Sequence, residues 1–261
     1  MSILAHILDS KMEEIRHLRA KTDLVALHEQ AMSIPACIDL AAALRDCPHT
    51  PVIAEIKRSS PSSGKLAEVE DAGRLAETYE RAGASAVSVL TDSLFFGGSL
   101  EDLRRTREAV SLPILRKDFI LDPIQICEAR VAGADAVLLI AAALSPKQLN
   151  SLFETAMSLG LTPVVEAHNE TELARALELN PRIIGINNRN LSTLQVDPAT
   201  FVRLRPLIPQ GVLVLAESGI SGPEDIAMLR KAGADAFLIG TTLMRSQDPG
   251  ATLRRLCCLE E

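Results

Sequence analysis

Four short apolar runs in this chain end in charged residues of opposite sign: Ala54-Glu55-Ile56-Lys57, Leu115-Arg116-Lys117-Asp118, Val164-Val165-Glu166 and Leu215-Ala216-Glu217-Ser218. Side chains alternate across an extended strand, so Glu55 and Lys57 point the same way. If the runs end side by side, three carboxylates and two ammonium groups share one cleft. Interleaved groups of this kind set one another's protonation. An ammonium flanked by carboxylates stays charged and can serve as a positioned proton donor, whereas two adjacent carboxylates leave one easier to protonate. The set suits acid–base chemistry. No histidine stands within these runs, and the nearest, His168, falls in the segment after Glu166, where it is expected at the surface; no metal site is predicted.

Two Gly-rich turns supply a second kind of chemistry. Ser218-Gly219-Ile220-Ser221-Gly222 follows one of these runs, and Gly240-Thr241-Thr242 follows the next apolar run. Glycine lets the backbone approach a ligand closely, and neighbouring N–H groups then bind phosphate. Ser59-Ser60-Pro61-Ser62, after the first run, can add a hydroxyl from across the cleft. The segment Asn187-Asn188-Arg189-Asn190 sets an amide pair beside a guanidinium able to grip a carboxylate through two hydrogen bonds.

The elements that must carry these groups are written as a repeat. Ala82-Gly83-Ala84, Ala132-Gly133-Ala134 and Ala232-Gly233-Ala234 each lead into a short apolar run, spaced by 50 and then 100 residues, and Ile183-Ile184-Gly185-Ile186 after Asn180-Pro181 fills the missing interval. These runs are continuously apolar, as parallel strands covered on both faces must be. A second set, Pro51 to Lys57, Pro113 to Asp118, Pro163 to Glu166 and Gly211 to Glu217, lies between them, which makes eight strands. Intervening segments such as Val69 to Arg81, Leu100 to Ala109, Pro123 to Val131, Pro146 to Leu159, Glu170 to Leu179 and Pro223 to Lys231 have apolar residues at helical spacing. Eight strand–helix units predict a (β/α)8 TIM barrel, whose functional groups emerge at the carboxyl ends of the strands. An open doubly wound sheet would carry a Gly-x-Gly-x-x-Gly turn after its first strand, and none follows Pro51 to Lys57. Residues 1–48 precede the first strand and, with Ile3, Ile7, Ile15 and Leu18 in a charged setting, predict an N-terminal helical extension that packs outside the barrel or covers its mouth.

A chain of 261 residues with 47% hydrophobic content fits one such domain, 1–261. The formal net charge of -7 argues against nucleic acid and anionic membranes as partners, so an anionic ligand must be captured locally. Five cysteines, an odd number without a Cys-x-x-Cys pair, fit a reducing compartment. No segment gives about 18 uncharged apolar residues, and His6, Asp9, Lys11, Glu13 and Glu14 interrupt any secretory signal, which predicts a cytoplasmic protein.

The run Val52-Ile53-Ala54-Glu55-Ile56-Lys57-Arg58-Ser59-Ser60-Pro61-Ser62 resembles the signature of the indole-3-glycerol-phosphate synthase family. Thr91-Asp92 with Phe95-Phe96-Gly97-Gly98-Ser99, Leu115-Arg116-Lys117-Asp118-Phe119, Val165-Glu166, Ile186-Asn187-Asn188-Arg189 and Glu217-Ser218-Gly219-Ile220 resemble it too, in its order and at its spacing across the chain. That resemblance implies a carboxy-lyase of tryptophan biosynthesis. It converts 1-(2-carboxyphenylamino)-1-deoxyribulose 5-phosphate to indole-3-glycerol phosphate, carbon dioxide and water, without a cofactor. It also implies roles: Lys117 as the proton donor to the ketone oxygen; Glu166 and Glu55 as acid and base, with Lys57 orienting the substrate or sharing the acid role; and Asn187, Glu217 and Ser218 holding hydroxyls and tuning the lysine. Ser60, Gly219, Gly240 and Thr241 would take the phosphate, Lys57 or Arg189 the carboxylate, and Phe96 and Phe119 the aromatic ring. Other enzymes of the pathway are the expected protein partners. Ile124, Asn190 and Thr241 depart from the family pattern, and none of them removes a proposed acid or base.

Two rival readings make different demands. A sugar-phosphate isomerase on the same barrel would need a Cys/Asp or Asp/Asp pair at the strand ends, where this chain has Glu and Lys. A silent phosphate-binding barrel would bind the substrate without turnover.

Overall fold

The computed structural model describes residues 2–259. Among them, eight parallel strands follow one another around a closed barrel: Val52–Ile56 (β1), Ala86–Leu90 (β2), Ile114–Lys117 (β3), Ala136–Ile140 (β4), Thr162–Ala167 (β5), Ile183–Asn187 (β6), Leu213–Glu217 (β7) and Ala236–Ile239 (β8). Each strand pairs with the next in sequence, and β1 closes the ring on β8 through Val52–Phe237 and Ala54–Ile239. The extension forms α1 (Ile3–Lys21), α2 (Leu24–Ser33) and α3 (Leu40–Arg45). Outside the barrel lie α4 (Ala72–Arg81), the short α5 (Ser93–Phe96), α6 (Leu100–Ala109), α7 (Pro123–Val131), α8 (Pro146–Ser158), α9 (Glu170–Leu177), α10 (Ala199–Leu204), α11 (Pro223–Lys231), α12 (Thr241–Met244) and α13 (Pro249–Leu256). The sequence reading did not single out α5, α10, α12 or α13, which are short or lie past the repeat.

The Ala-Gly-Ala repeat marks where a helix stops and turns into a strand. Ala82, Ala132 and Ala232 close α4, α7 and α11, and the following Gly83, Gly133 and Gly233 have φ of 91°, 96° and 99°, a region that penalises a side chain. Asn180 holds the equivalent place in the fourth repeat with φ 51°, and asparagine is among the few other residues that tolerate it.

Burial on both faces explains the continuously apolar strands. Val52, Ala54 and Ile56 of β1, Val165 and Ala167 of β5, and Val214 and Ala216 of β7 pack outward against the helices. Ile53, Leu115, Val164, Ile183, Leu215 and Leu238 fill the interior. Each such aliphatic side chain contributes about 1.5–3 kcal/mol of burial. The same alternation aims Glu55, Lys117, Glu166 and Glu217 inward, because each lies two residues beyond one of these interior positions.

The extension both plugs and covers the barrel. Asp39, which caps α3, accepts from Arg182 just ahead of β6 at 2.8 Å, and the Ile38 N–H donates to Asp135 just ahead of β4 at 2.8 Å. These contacts fix α3 at the amino-terminal end, with Leu40, Ala41 and Leu44 in the interior cluster. Helix α1 lies at the opposite end, where Ile7 joins the same cluster beside Phe119 and Ile140.

Candidate active site

A cavity of about 640 Å³ opens at the carboxyl ends of the strands, within the size range of small-molecule sites. Every site residue expected from the sequence lines it: Glu55, Lys57 and Ser60 from β1 and its loop; Phe96 from α5; Lys117 and Phe119 at the end of β3; Glu166; Asn187 and Arg189; Glu217, Ser218 and Gly219; and Gly240 with Thr241.

Lys117 stands between two carboxylates, its Nζ 3.2 Å from Glu166 Oε2 and 3.3 Å from Glu217 Oε2. Burial alone would lower its pKa, but Glu166, Glu217 and Glu55 outweigh that and hold the ammonium well above the ordinary lysine range. The two carboxylates are then pushed apart. Burial would raise both; Lys117 and His168 nevertheless keep Glu166 ionised far below the usual range, while burial and the neighbouring Glu166 and Glu55 charges drive Glu217 upward toward its protonated form. A second pair lies on β1, with Lys57 Nζ 2.7 Å from Glu55 Oε1. The site therefore sets the Lys117 ammonium between a carboxylate kept ionised, Glu166, and a carboxyl pushed toward its neutral form, Glu217.

Two glycines make the room these carboxylates use. A Cβ at Gly185, the interior residue of β6 beside β7, would come within 2.3 Å of Glu217 Oε1. A Cβ at Gly240 would come within 2.3 Å of Glu55 Oε1 and 3.1 Å of its Cβ. Gly240 was read from the sequence only as a phosphate loop; its position against Glu55 gives it this additional packing constraint.

The rest of the cavity divides into an apolar wall and a polar end. Phe96 and Phe119 lie with ring centroids 6.2 Å apart and planes tilted by 37°. Ile3, Leu4 and Ile7 of α1 and Leu138 and Ile140 of β4 extend that wall. At the other end, Ser60, Gly219, Ser221, Gly240 and Thr241 line the cavity, and Thr242 Oγ1 donates to the Ile220 carbonyl at 2.5 Å, tying the loops after β7 and β8 together. Gly219 has φ 82° and Ser218 φ 65°, so both residues of this turn take the left-handed conformation. The loop after β1 is braced by Arg58, whose guanidinium spans both Asp102 oxygens at 2.6 and 2.8 Å. Arg189 is tied to its own loop: its N–H donates to Asn187 Oδ1 at 2.9 Å and its Nη1 to the Leu194 carbonyl at 2.9 Å. Asn190, where the resemblance leads one to expect Asp, caps this loop by accepting from the Ser192 and Thr193 N–H groups at 2.8 and 3.0 Å.

One expectation is overturned. His168 is not a surface residue: its side chain is only 9% exposed and sits between Glu166, 3.3 Å away, and Glu172, 3.0 Å away. The residue lies two beyond Glu166, and the alternation that brought Glu55 and Lys57 together would have suggested this placement. The sequence left open whether the amino-terminal extension packs outside the barrel or covers its mouth, because nothing local links Ile3, Leu4, Ile7 and Lys11 to strand ends far along the chain; Ile3, Leu4 and Ile7 line the cavity. Arg245 and Arg255 line the outer cavity as well, and they come from the terminal helices that the repeat does not predict.

A closed parallel barrel with an acid–base set at its strand ends, facing Gly-rich loops in one cavity, defines a (β/α)8-barrel enzyme of small-molecule phosphate chemistry. Solved structures share the architecture: N-acetylmannosamine-6-phosphate 2-epimerase from Clostridium perfringens superposes with a TM-score of 0.61 at 15% identity, over 83% of this chain and 96% of that one. At that identity the likeness shows the fold alone. The family model described as indole-3-glycerol phosphate synthase matches residues 4–256. Proteins of that name from Parafrankia sp. (strain EAN1pec) and Kineococcus radiotolerans are 50% and 51% identical, each match covering 95% of this chain and 92% of the relative. Indole-3-glycerol phosphate synthase 1 of Streptomyces coelicolor is 46% identical over 100% of this chain and 97% of its own length. The chain belongs to the indole-3-glycerol phosphate synthase family, carboxy-lyases of tryptophan biosynthesis.

Proposed function

We propose that this barrel carries out the family's ring closure with Lys117 as the proton donor and Glu166 and Glu55 as the acid–base pair. The supporting observation is the Lys117 ammonium, held between Glu166 and Glu217 in the cavity that also contains the Phe96–Phe119 wall. In 1-(2-carboxyphenylamino)-1-deoxyribulose 5-phosphate, the ring carbon bearing the carboxylate attacks the ketone carbon, and Lys117 protonates the oxygen on which charge develops. Carbon dioxide then leaves and its electron pair restores the aromatic ring. Departure of the new hydroxyl as water needs a second proton, and loss of a proton from the methylene carbon beside nitrogen completes the indole; Glu166 and Glu55 serve these two steps.

Phe96 and Phe119 hold the aryl ring, Ser60, Gly219, Gly240 and Thr241 hold the phosphate, and Lys57 or Arg189 meets the carboxylate. Lys57 shares the acid role through its contact with Glu55. Asn187, Glu217 and Ser218 hold hydroxyls, and Glu217 also tunes Lys117. The reading places the reaction in the cytoplasm, which the five unbridged cysteines support.

The test is steady-state indole formation in EDTA by the wild type and Lys117→Ala. Robust wild-type turnover that falls by about 10²- to 10⁴-fold in the variant supports the assignment. A variant that turns over like the wild type would rule out Lys117 as donor.

A further inference from the structure

His168 presents an arrangement that the ring-closure roles leave unused. Its Nδ1 and backbone N–H both meet Glu172 Oε2, at 3.0 and 2.8 Å, and Asn169 Nδ2 holds the other Glu172 oxygen at 2.6 Å. Its Nε2 points at Glu166 Oε1, 3.3 Å away, and neither of these two buried atoms has an aligned hydrogen-bond partner. On its far side His168 reaches a second cavity of about 520 Å³, which adjoins the first at Leu4, Asn187 and Leu191 and is lined also by Asn169, Glu172, Asp197 and Arg203. His168 thus stands between the buried carboxylate and a second, polar space.

The stoichiometry of the reaction gives this position a task. The ketone oxygen takes two protons before it leaves as water, and the methylene carbon returns one. The carboxylate leaves as neutral carbon dioxide and leaves its electron pair in the ring. One proton from solvent is therefore consumed per turnover, and it must reach Lys117 and Glu166 while the substrate fills the first cavity.

We propose that His168 is the proton store for Glu166, refilled from the second cavity. The inference rests on the reading of Glu166 as an acid in the proposed mechanism. In the delivery step, once Lys117 has given its proton to the ketone oxygen and no longer holds Glu166 ionised, the Nε2–H bond breaks and an O–H bond forms on Glu166 Oε1. The neutral ring then takes a proton from water or buffer in the second cavity, and the Glu172 carboxylate stabilises the restored cation. Groups facing the ring are Glu166 from β5, Glu172 from α9, and, across the second cavity, Asp197 and Arg203; Lys117 and Glu217 face the far side of Glu166. Burial would lower the ring's pKa, but Glu166 and Glu172 outweigh it and raise it to about 10, so the store is filled at neutral pH. His168 acts through Glu166 and is a positioning and proton-supplying residue, with no contact to substrate required.

The test compares kcat of wild type, His168→Gln and Glu166→Gln in a bulky buffer, with and without added imidazole. For His168→Gln we expect a fall of about tenfold in kcat, KM within about twofold, and recovery by imidazole entering from the second cavity, while the wild type ignores imidazole. A purely structural role would lower kcat without recovery. Glu172→Gln keeps the imidazole and should move the alkaline limb of the kcat profile to lower pH. An unchanged kcat in His168→Gln, a loss that imidazole does not restore, or an unmoved limb in Glu172→Gln overturns the store. If His168→Gln is silent while Glu166→Gln is crippled, only the store fails; if Glu166→Gln is silent, the acid assignment fails with it.

Discussion

Lys11, in the middle of α1, places its Nζ 2.9 Å from Asp118 Oδ1, one residue beyond the proposed proton donor Lys117. The same ammonium is 3.1 Å from Asp92 Oδ2 and 2.7 Å from Glu14 Oε2. Asp118 is in turn held by Arg116 at 3.1 Å and by Thr91 Oγ1 at 2.5 Å. Arg116 lies on the outward face of β3, opposite in parity to Lys117, so one strand end anchors the extension with one face and presents the donor with the other. The amino-terminal helix is thereby bolted over the cavity by charges 107 positions away in sequence, the distance from Lys11 to Asp118.

We predict that Lys11→Met destabilises the protein by about 3 kcal/mol, because removing one member of a buried ion network leaves the others uncompensated. Since α1 brings Ile3, Leu4 and Ile7 to the cavity wall, KM should rise more than kcat falls. Urea unfolding and steady-state kinetics on the same preparation test both. An unchanged midpoint would show that the network is dispensable.

The acid side of the stability curve carries the same network. Burial would raise the Asp118 pKa, but Arg116, Lys11 and Thr91 outweigh it and bring it down to about 2. A folded-state pKa below the unfolded value of about 3.9 contributes stability that is complete above it and is lost as pH falls toward about 2. The contribution at neutral pH is about 2–3 kcal/mol by linkage. Asp118→Asn should flatten the decline in unfolding free energy between about pH 4 and 2. Equal slopes in that window for the two proteins would contradict the prediction.

The barrel was legible because its constraints are local. Continuous apolar runs, helix-stopping Ala-Gly-Ala turns and the i, i+2 parity at each strand end are written within a few residues, and the acid–base set follows once the strands close. Three features depend on tertiary contact. The i, i+2 parity from Glu166 hints that His168 turns inward, but its burial depends on Glu172, which the first turn of α9 brings over it. The pairing of Lys11 with Asp118 needs the chain to cross the barrel mouth. Gly185 reads as an ordinary small residue within an apolar run until the Glu217 side chain is placed against it.

Gly185 gives a steric prediction. A Cβ there would approach Glu217 Oε1 to 2.3 Å, so Gly185→Ala must move that carboxylate away from Lys117. The methyl group adds little apolar bulk and sits on a strand, so the fold should survive. We expect kcat to fall by about tenfold or more with a smaller change in KM, and the double variant Gly185→Ala/Glu217→Ala to show no further loss beyond Glu217→Ala. Additive losses in the double variant would refute an effect transmitted through Glu217.

Glu166 and Glu217 both meet Lys117, at 3.2 and 3.3 Å, yet their environments separate them. Glu166 is kept ionised by Lys117 and His168, so its charge is part of the machinery. Glu217 is pushed toward the neutral acid by burial and by the Glu166 and Glu55 charges. An amide resembles a protonated carboxyl in shape and polarity and differs most from a carboxylate. Glu217→Gln should therefore retain most activity, within about tenfold of wild type, whereas Glu166→Gln should lose about 10²- to 10⁴-fold. Removing the Glu166 charge also removes the influence that raises Glu217, and in Glu166→Gln the remaining carboxylate should ionise and pair with Lys117. Carboxyl infrared bands or direct titration would follow that transfer, with a protonated carboxyl in the wild type disappearing in Glu166→Gln at neutral pH. Equal losses in the two glutamine variants, or a protonated carboxyl that persists without Glu166, would show that the two groups do not divide the charged and neutral roles.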